Sequence, residues 1–184
     1  MLGKNPVFQQ LSDYLHAYPI AAERLTLKKL DIAIDFLTFE NHPYTGVNSV
    51  VTNGLKILKA SKGDELIFTF DPNSANSETN IVAFMATYIE LYYLDHKAHV
   101  EPGDFMYTKF NVMNGYNFKG IYVTKPVYFP EDFPEKNSLV NYLWMIPLYK
   151  DELSYIKTNG CVAFESLLEN LDPDLTKLDR PSIV

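Results

Sequence analysis

Hydrophobic and polar positions alternate with two different periods along this chain. From residue 30 the period is two, with Ile32, Ile34 and Phe36 on one face, which predicts a half-buried strand. A stripe of apolar side chains at helical spacing instead predicts the longest helix, capped by Asn76 or Ser77 and ending at about Asp95. A shorter helical pattern, between Val7 and Leu15, opens the chain. The first half is therefore expected to mix strands and helices.

The second half continues this mixture. The segment Asn141–Leu148 is apolar on both faces around Trp144, which is typical of a central strand covered on both sides. Two helical patterns follow, the first ending near Gly160, whereas residues 96–118 give no clear pattern. Further strands are predicted at residues 47–51, 65–70 and 120–124. We expect one domain over residues 1–184, α/β or α+β in class, with a mixed β-sheet flanked by helices.

Composition narrows the function classes. The net charge of −7 argues against binding to nucleic acid, because affinity for phosphates depends on clustered Lys and Arg. No apolar run is long enough to span a membrane, and the N-terminus has no signal-peptide pattern. The single cysteine, Cys161, can form no internal disulfide and is expected to be a small core residue. These features predict a cytoplasmic protein that binds neither nucleic acid nor membrane.

Two groups of side chains could carry chemistry. Asp31 and Asp35 are four residues apart on the predicted strand, where both would point to its polar face, yet no positioning group accompanies them. The densest group of potential metal ligands falls just after the predicted long helix and comprises Asp95, His96, His99 and Glu101. Both groups are expected to be solvated surface residues. No familiar catalytic or phosphate-binding motif occurs, so we predict a non-enzyme without metal or cofactor.

Two groups of short motifs stand out along the chain. A strand runs into a small-residue turn, Thr52-Asn53-Gly54-Leu55, and the closing half has a strand, two helices and a terminal Arg-Pro-Ser in that order. Together they resemble the suppressor-of-fused (SUFU) domain family. The residues that carry the resemblance, to which it gives structural roles, are Thr52, Gly54, Trp144, Pro147, Glu152, Gly160, Arg180 and Pro181. The resemblance is strongest to short bacterial members, which act as antitoxins or immunity proteins beside polymorphic toxins, including the LXG type.

The resemblance implies an immunity protein that neutralises a cognate toxin by direct binding, and the acidic charge suits a basic toxin such as a nuclease. The alternatives are a SUFU-like scaffold that sequesters a regulatory protein, and a hydrolase whose motif is not visible. Two acidic loops are predicted to meet the partner. Their candidate residues are Glu131, Asp132 and Glu135 in one loop, and Glu101, Asp104 and Tyr107 in the other. The sequence leaves the oligomeric state open.

Overall fold

The strands of the protein form one mixed sheet. The structure, a computed structural model, describes residues 6–61, 63–76, 79–95, 99–129, 133 and 140–184. Within them, seven strands are arranged in the order β1-β2-β3-β4-β7-β6-β5. They are β1 (Ala21–Leu27), β2 (Ile32–Phe39), β3 (Asn48–Asn53), β4 (Asp64–Phe70), β5 (Phe105–Tyr107), β6 (Gly120–Thr124) and β7 (Asn141–Leu148). This confirms the expected mixed sheet, in an α+β domain.

The sheet changes direction at its centre. Strands β4 and β7 pair in parallel, with Asp64 opposite Asn141 and Ile67 opposite Trp144. The other neighbouring strands pair antiparallel. Because β7 lies between β4 and β6, both of its edges are hydrogen-bonded and its side chains are buried from Tyr142 to Leu148. The prediction of a central strand around Trp144 is therefore confirmed.

Four helices cover the two faces of the sheet within the described residues. They are α1 (Pro6–Leu15), α2 (Ile81–Asp95), α3 (Lys150–Asn159) and α4 (Cys161–Leu171). Helix α2 packs on one face, where Phe84 and Met85 join Phe36 and Met145 in the largest apolar cluster. On the other face, α1 supplies Leu11 to a second cluster, and α3 and α4 pack over a third. No described helix is long and apolar enough to cross a membrane.

Asp31 and Asp35 do not lie on the same strand. Asp31 lies in the turn before β2 with a φ of 53°, so the strand begins at Ile32, two residues after the start of the alternating pattern at residue 30. Asp35 is buried and accepts hydrogen bonds from Arg24 Nε and Nη2 at 2.7 and 3.0 Å. The alternation of side chains had placed both residues on one polar face, but a turn residue does not follow that alternation. The two carboxylates therefore do not form an acid and base pair.

Candidate functional site

A buried carboxylate organises the turn that follows β3. The Glu65 side chain is fully buried, and its Oε2 accepts hydrogen bonds from Thr52 Oγ1 at 2.6 Å and Leu55 N at 3.1 Å. Its Oε1 accepts from the backbone N–H groups of Gly54 and Lys56. Burial raises the pKa of Glu65, and these donors partly oppose that rise. The Thr52–Leu55 motif thus supplies the hydrogen-bond donors for the Glu65 carboxylate of the neighbouring strand.

Gly54 is required at this turn by its backbone. Its φ is 126°, a conformation that side-chain-bearing residues rarely adopt. A Cβ atom at this position would lie 3.2 Å from the carbonyl oxygen of Ala33. The glycine therefore permits β3 to approach β2 closely while turning its N–H toward Glu65.

A second buried carboxylate anchors the C-terminal tail. Glu152 Oε1 and Oε2 accept hydrogen bonds from Arg180 Nη1 and Nη2 at 2.6 and 3.1 Å, and both side chains are almost completely buried. Glu152 also accepts from the backbone N–H groups of Tyr149 and Ile183. Arg180 further donates to the carbonyl oxygens of Pro147 and Pro181 at 3.1 and 3.0 Å. The tail is therefore tied to the end of β7 and the start of α3.

The remaining motif residues shape the same end of the chain. Gly160, with a φ of 85°, ends α3 and immediately precedes α4. Trp144 is buried between strands, where its Nε1 donates to Thr69 Oγ1 at 2.9 Å. Every family-motif residue described above thus makes contacts within the fold.

One of the two predicted partner loops is well described. Glu101 and Tyr107 are exposed on either side of Asp104, whose Oδ2 accepts from Tyr92 OH at 2.7 Å and from Glu101 N at 2.8 Å. Burial is the main cause that raises the pKa of Tyr92 well above its usual range, and the hydrogen bond to Asp104 raises it further. The Tyr92 phenol therefore keeps its proton and donates. Lys157 Nζ lies 4.5 Å from the centre of the Tyr107 ring. Asp104 therefore holds the turn that presents Glu101 and Tyr107.

The other predicted residues are placed as follows. Glu131, Asp132, Glu135 and His96 lie outside the described residues. His99 does not join Glu101 but lies beside Asp64 of β4, with Nδ1 2.7 Å from Oδ2. Nowhere in the described part of the chain do three or more potential ligand residues converge as a metal site would need. Cys161, partly buried, begins α4.

These buried anchors sit within a sequence that matches a known family. Residues 31–181 match the suppressor of fused protein (SUFU) family, a range that includes both carboxylates and Arg180. The chain belongs to the SUFU family. No curated protein matches it in sequence.

Solved SUFU structures share this fold at low sequence identity. A protein described as a SUFU homolog from Neisseria gonorrhoeae is 15% identical, with a TM-score of 0.76 over 100% of this chain and 98% of that one. The Sufu-Fu complex matches with a TM-score of 0.62 at 11% identity, covering 96% of this chain and 90% of the other. Drosophila Suppressor of Fused matches with a TM-score of 0.61 at 12% identity. The match covers 96% of this chain and 50% of that one.

Sequence reasoning missed Glu65 and Asp64 as organising residues of this SUFU domain. The signal that could have found Glu65 is a charged residue at the start of an otherwise apolar strand, where a buried carboxylate needs donors nearby. The Thr52–Leu55 turn, already identified as a motif, supplies those donors.

Proposed function

We propose that this SUFU domain is an immunity protein of the bacterial cytoplasm that neutralises a cognate toxin by binding it, without catalysis. Two similarities support the proposal. The Neisseria homolog is matched over 98% of its length, so the fold described for this chain spans nearly all of that bacterial relative. The Sufu-Fu complex is, by its description, a complex between a SUFU protein and another protein. A binding role for the domain is consistent with both.

The observation that carries the proposal is the exposed turn from Glu101 to Tyr107. Its last three residues form β5, the strand at one edge of the sheet, which pairs with β6 alone among the described strands. Tyr107 is 42% exposed, so part of a large ring is available although Lys157 Nζ lies 4.5 Å from its centre. Tyrosine is a frequent anchor at protein interfaces, because it provides contact area at a low cost in conformational entropy. A net charge of −7 would speed the encounter with a basic toxin.

The contacts of the buried carboxylates support a role without catalysis. Glu65 is surrounded by hydrogen-bond donors of the Thr52 turn, and Glu152 by Arg180 and two backbone N–H groups. Asp35 is paired with Arg24. Carboxylates held in this way stabilise the fold, whereas a general acid or base needs to reach a substrate. A scaffold that sequesters a regulatory protein is the second candidate, and the Sufu-Fu complex is what favours it.

The test is co-expression with the product of the reading frame immediately upstream of this gene, which the proposal expects to be a toxin. The wild-type chain should restore growth, and Tyr107→Ala should weaken the complex about thirtyfold, since truncating an anchor residue costs about 2 kcal/mol. Glu101→Lys should slow association, most of all at low salt. The matched control is Glu23→Lys, because Glu23 is exposed on β1 at the opposite end of the sheet.

Two results would contradict parts of the proposal. Full protection by Tyr107→Ala and Glu101→Lys would exclude this turn, and reversal of Glu131, Asp132 and Glu135 to Lys would then test the other loop. Failure of the folded wild-type chain to bind or protect would contradict the immunity function itself.

A further inference from the structure

Three Asn-Gly dipeptides occur in the chain, and each places a side-chain amide next to a glycine nitrogen. They are Asn53-Gly54, Asn114-Gly115 and Asn159-Gly160. Glycine has no Cβ to shield its backbone nitrogen, and its backbone reaches conformations that other residues rarely adopt. The glycine nitrogen can therefore attack the side-chain carbonyl carbon of the preceding asparagine. The three dipeptides share this chemistry, so the fold decides which of them reacts.

The sheet restrains the first dipeptide. Asn53 is 2% exposed, and its Nδ2 lies 3.5 Å from Oδ2 of the buried Asp35. Gly54 N donates to Glu65 Oε1 at 2.8 Å. The nitrogen becomes a nucleophile only when it loses its proton, and a hydrogen bond to a carboxylate holds that proton strongly. Reaction at Asn53 therefore requires the turn after β3 to open.

Helix α3 restrains the last dipeptide, although Asn159 is exposed. Gly160 N donates to the carbonyl oxygen of Ile156 at 2.8 Å, and Asn159 Nδ2 donates to that of Tyr155 at 3.1 Å. Side chains on a helix also point back toward its N-terminus, which directs the Asn159 amide away from the nitrogen that follows it. Reaction at Asn159 therefore requires the last turn of α3 to unwind.

Neither restraint acts on the second dipeptide. Asn114 and Gly115 are both exposed, in the loop between β5 and β6. Neither Gly115 N nor the Asn114 side chain forms a hydrogen bond with a described residue. The turn around them is closed by Tyr116 N, which donates to the carbonyl oxygen of Met113 at 3.3 Å. This hydrogen bond uses the flanking residues and leaves both reacting groups free.

We propose that Asn114 is a site of spontaneous deamidation, and that it is the asparagine of these three that reacts in the folded protein. Gly115 N loses its proton and forms a bond to Cγ of Asn114, while the Cγ–Nδ2 bond breaks and Nδ2 leaves as ammonia. Water then opens the resulting cyclic imide. Cleavage between Gly115 N and Cγ gives aspartate, whereas cleavage between Gly115 N and the backbone carbonyl carbon of Asn114 gives isoaspartate. The site is independent of the proposed toxin-binding turn.

The two products should affect the loop differently. Asn114 lines a cavity of about 240 Å³ together with Asn80 and Ala83, at the start of α2, and all the lining residues are uncharged. The first turn of α2 contains no acidic residue, so an aspartate at position 114 would add a negative charge near the positive end of the helix dipole. Isoaspartate instead routes the main chain through Cγ and lengthens the turn. Aspartate should therefore be tolerated, and isoaspartate should loosen the loop.

The test is incubation of the full chain at mildly alkaline pH, followed by tryptic digestion and mass spectrometry. Fragmentation of peptide 110–119 locates the conversion of amide to acid at Asn114. In the folded chain, Asn114 should convert at least about tenfold faster than Asn53 or Asn159, because a glycine nitrogen held in a hydrogen bond must first be released by local opening. The matched control is the same chain unfolded in guanidinium chloride, where all three asparagines precede glycine without restraint and should convert at similar rates.

Two variants separate the chemistry from its structural effect. Asn114→Gln should abolish conversion at this position, because the longer side chain would have to close a larger ring. Asn114→Asp should keep the melting temperature of the fresh wild-type chain or raise it. The incubated wild-type chain, which carries isoaspartate as well, should melt at a lower temperature than Asn114→Asp.

Three outcomes would overturn the proposal. They are equal conversion rates of the three asparagines in the folded chain, conversion of Asn53 or Asn159 before Asn114, and an Asn114 that stays intact in the folded chain while it converts in denaturant. Identical melting of Asn114→Asp and of the incubated chain would overturn the effect assigned to isoaspartate.

Discussion

Replacing Arg180 with methionine should destabilise the protein strongly although the residue lies near the end of the chain. The substitution keeps much of the apolar stem but removes the guanidinium that donates to both oxygens of Glu152 and to the carbonyls of Pro147 and Pro181. Glu152, fully buried, would keep only Tyr149 N and Ile183 N as donors among the described residues. A buried negative charge would then remain without a counter-charge.

The size of the effect follows from that burial. Removing one partner of a buried ion pair costs about 3–5 kcal/mol, mostly because the other charge stays desolvated. For a chain of this size, that corresponds to a fall of roughly 6–20 °C in melting temperature. The variant Lys177→Met changes an exposed lysine of the same tail and should cost less than about 0.5 kcal/mol.

Urea denaturation followed by circular dichroism measures both variants, and the double variant Arg180→Met, Glu152→Gln completes a cycle. We expect the double variant to be less destabilised than the sum of the single variants, because neutralising Glu152 removes the unpaired charge. A cost below about 1 kcal/mol for Arg180→Met would refute the reasoning, since the pair would then behave like an exposed one.

Three further predictions concern the sheet. Trp144→Ala should cost about 3–5 kcal/mol in unfolding free energy, measured by urea denaturation, because a large side chain buried in the central strand is removed; a stable variant would contradict its burial. Thr52→Val should cost about 1–3 kcal/mol, because Leu66 N and Glu65 Oε2 both lose a partner. Glu65 has a folded-state pKa raised above its usual 4.5, so the folded state binds this proton more tightly than the unfolded state. As pH rises from below 4.5 through the raised pKa, the wild type should therefore lose stability relative to Glu65→Gln; the opposite slope in matched denaturation series would show that the hydrogen bonds outweigh burial.

Elements with a strong local pattern could be predicted from the sequence. Strand β7 was recognisable because both of its faces are apolar, and α2 because its apolar residues recur at helical spacing. Strand β1 was missed, since it is an edge strand whose residues are mostly exposed and therefore show little hydrophobic pattern. Strand β5 has only three residues and lies in the stretch that gave no clear pattern.

The candidate site depended on contacts between distant residues. The Thr52 turn and the terminal Arg180 were identified by resemblance, but their partners Glu65 and Glu152 meet them only after β4 and α3 are in place. A cavity of about 640 Å³ is a further example, because its lining residues Asp64, His99, Lys125 and Asn141 come from four separate segments. Periodicity reports the faces of single elements, so it cannot show which loops meet at one edge of a sheet.

Affinity purification of the chain from its native cells, with the bound proteins identified by mass spectrometry, tests the central claim most directly. The account predicts a stoichiometric complex with a toxin that stops growth when expressed alone and is silenced when this chain is added. Recovery of a regulatory protein in place of a toxin, or of a toxin that stays active in the complex, would contradict the account.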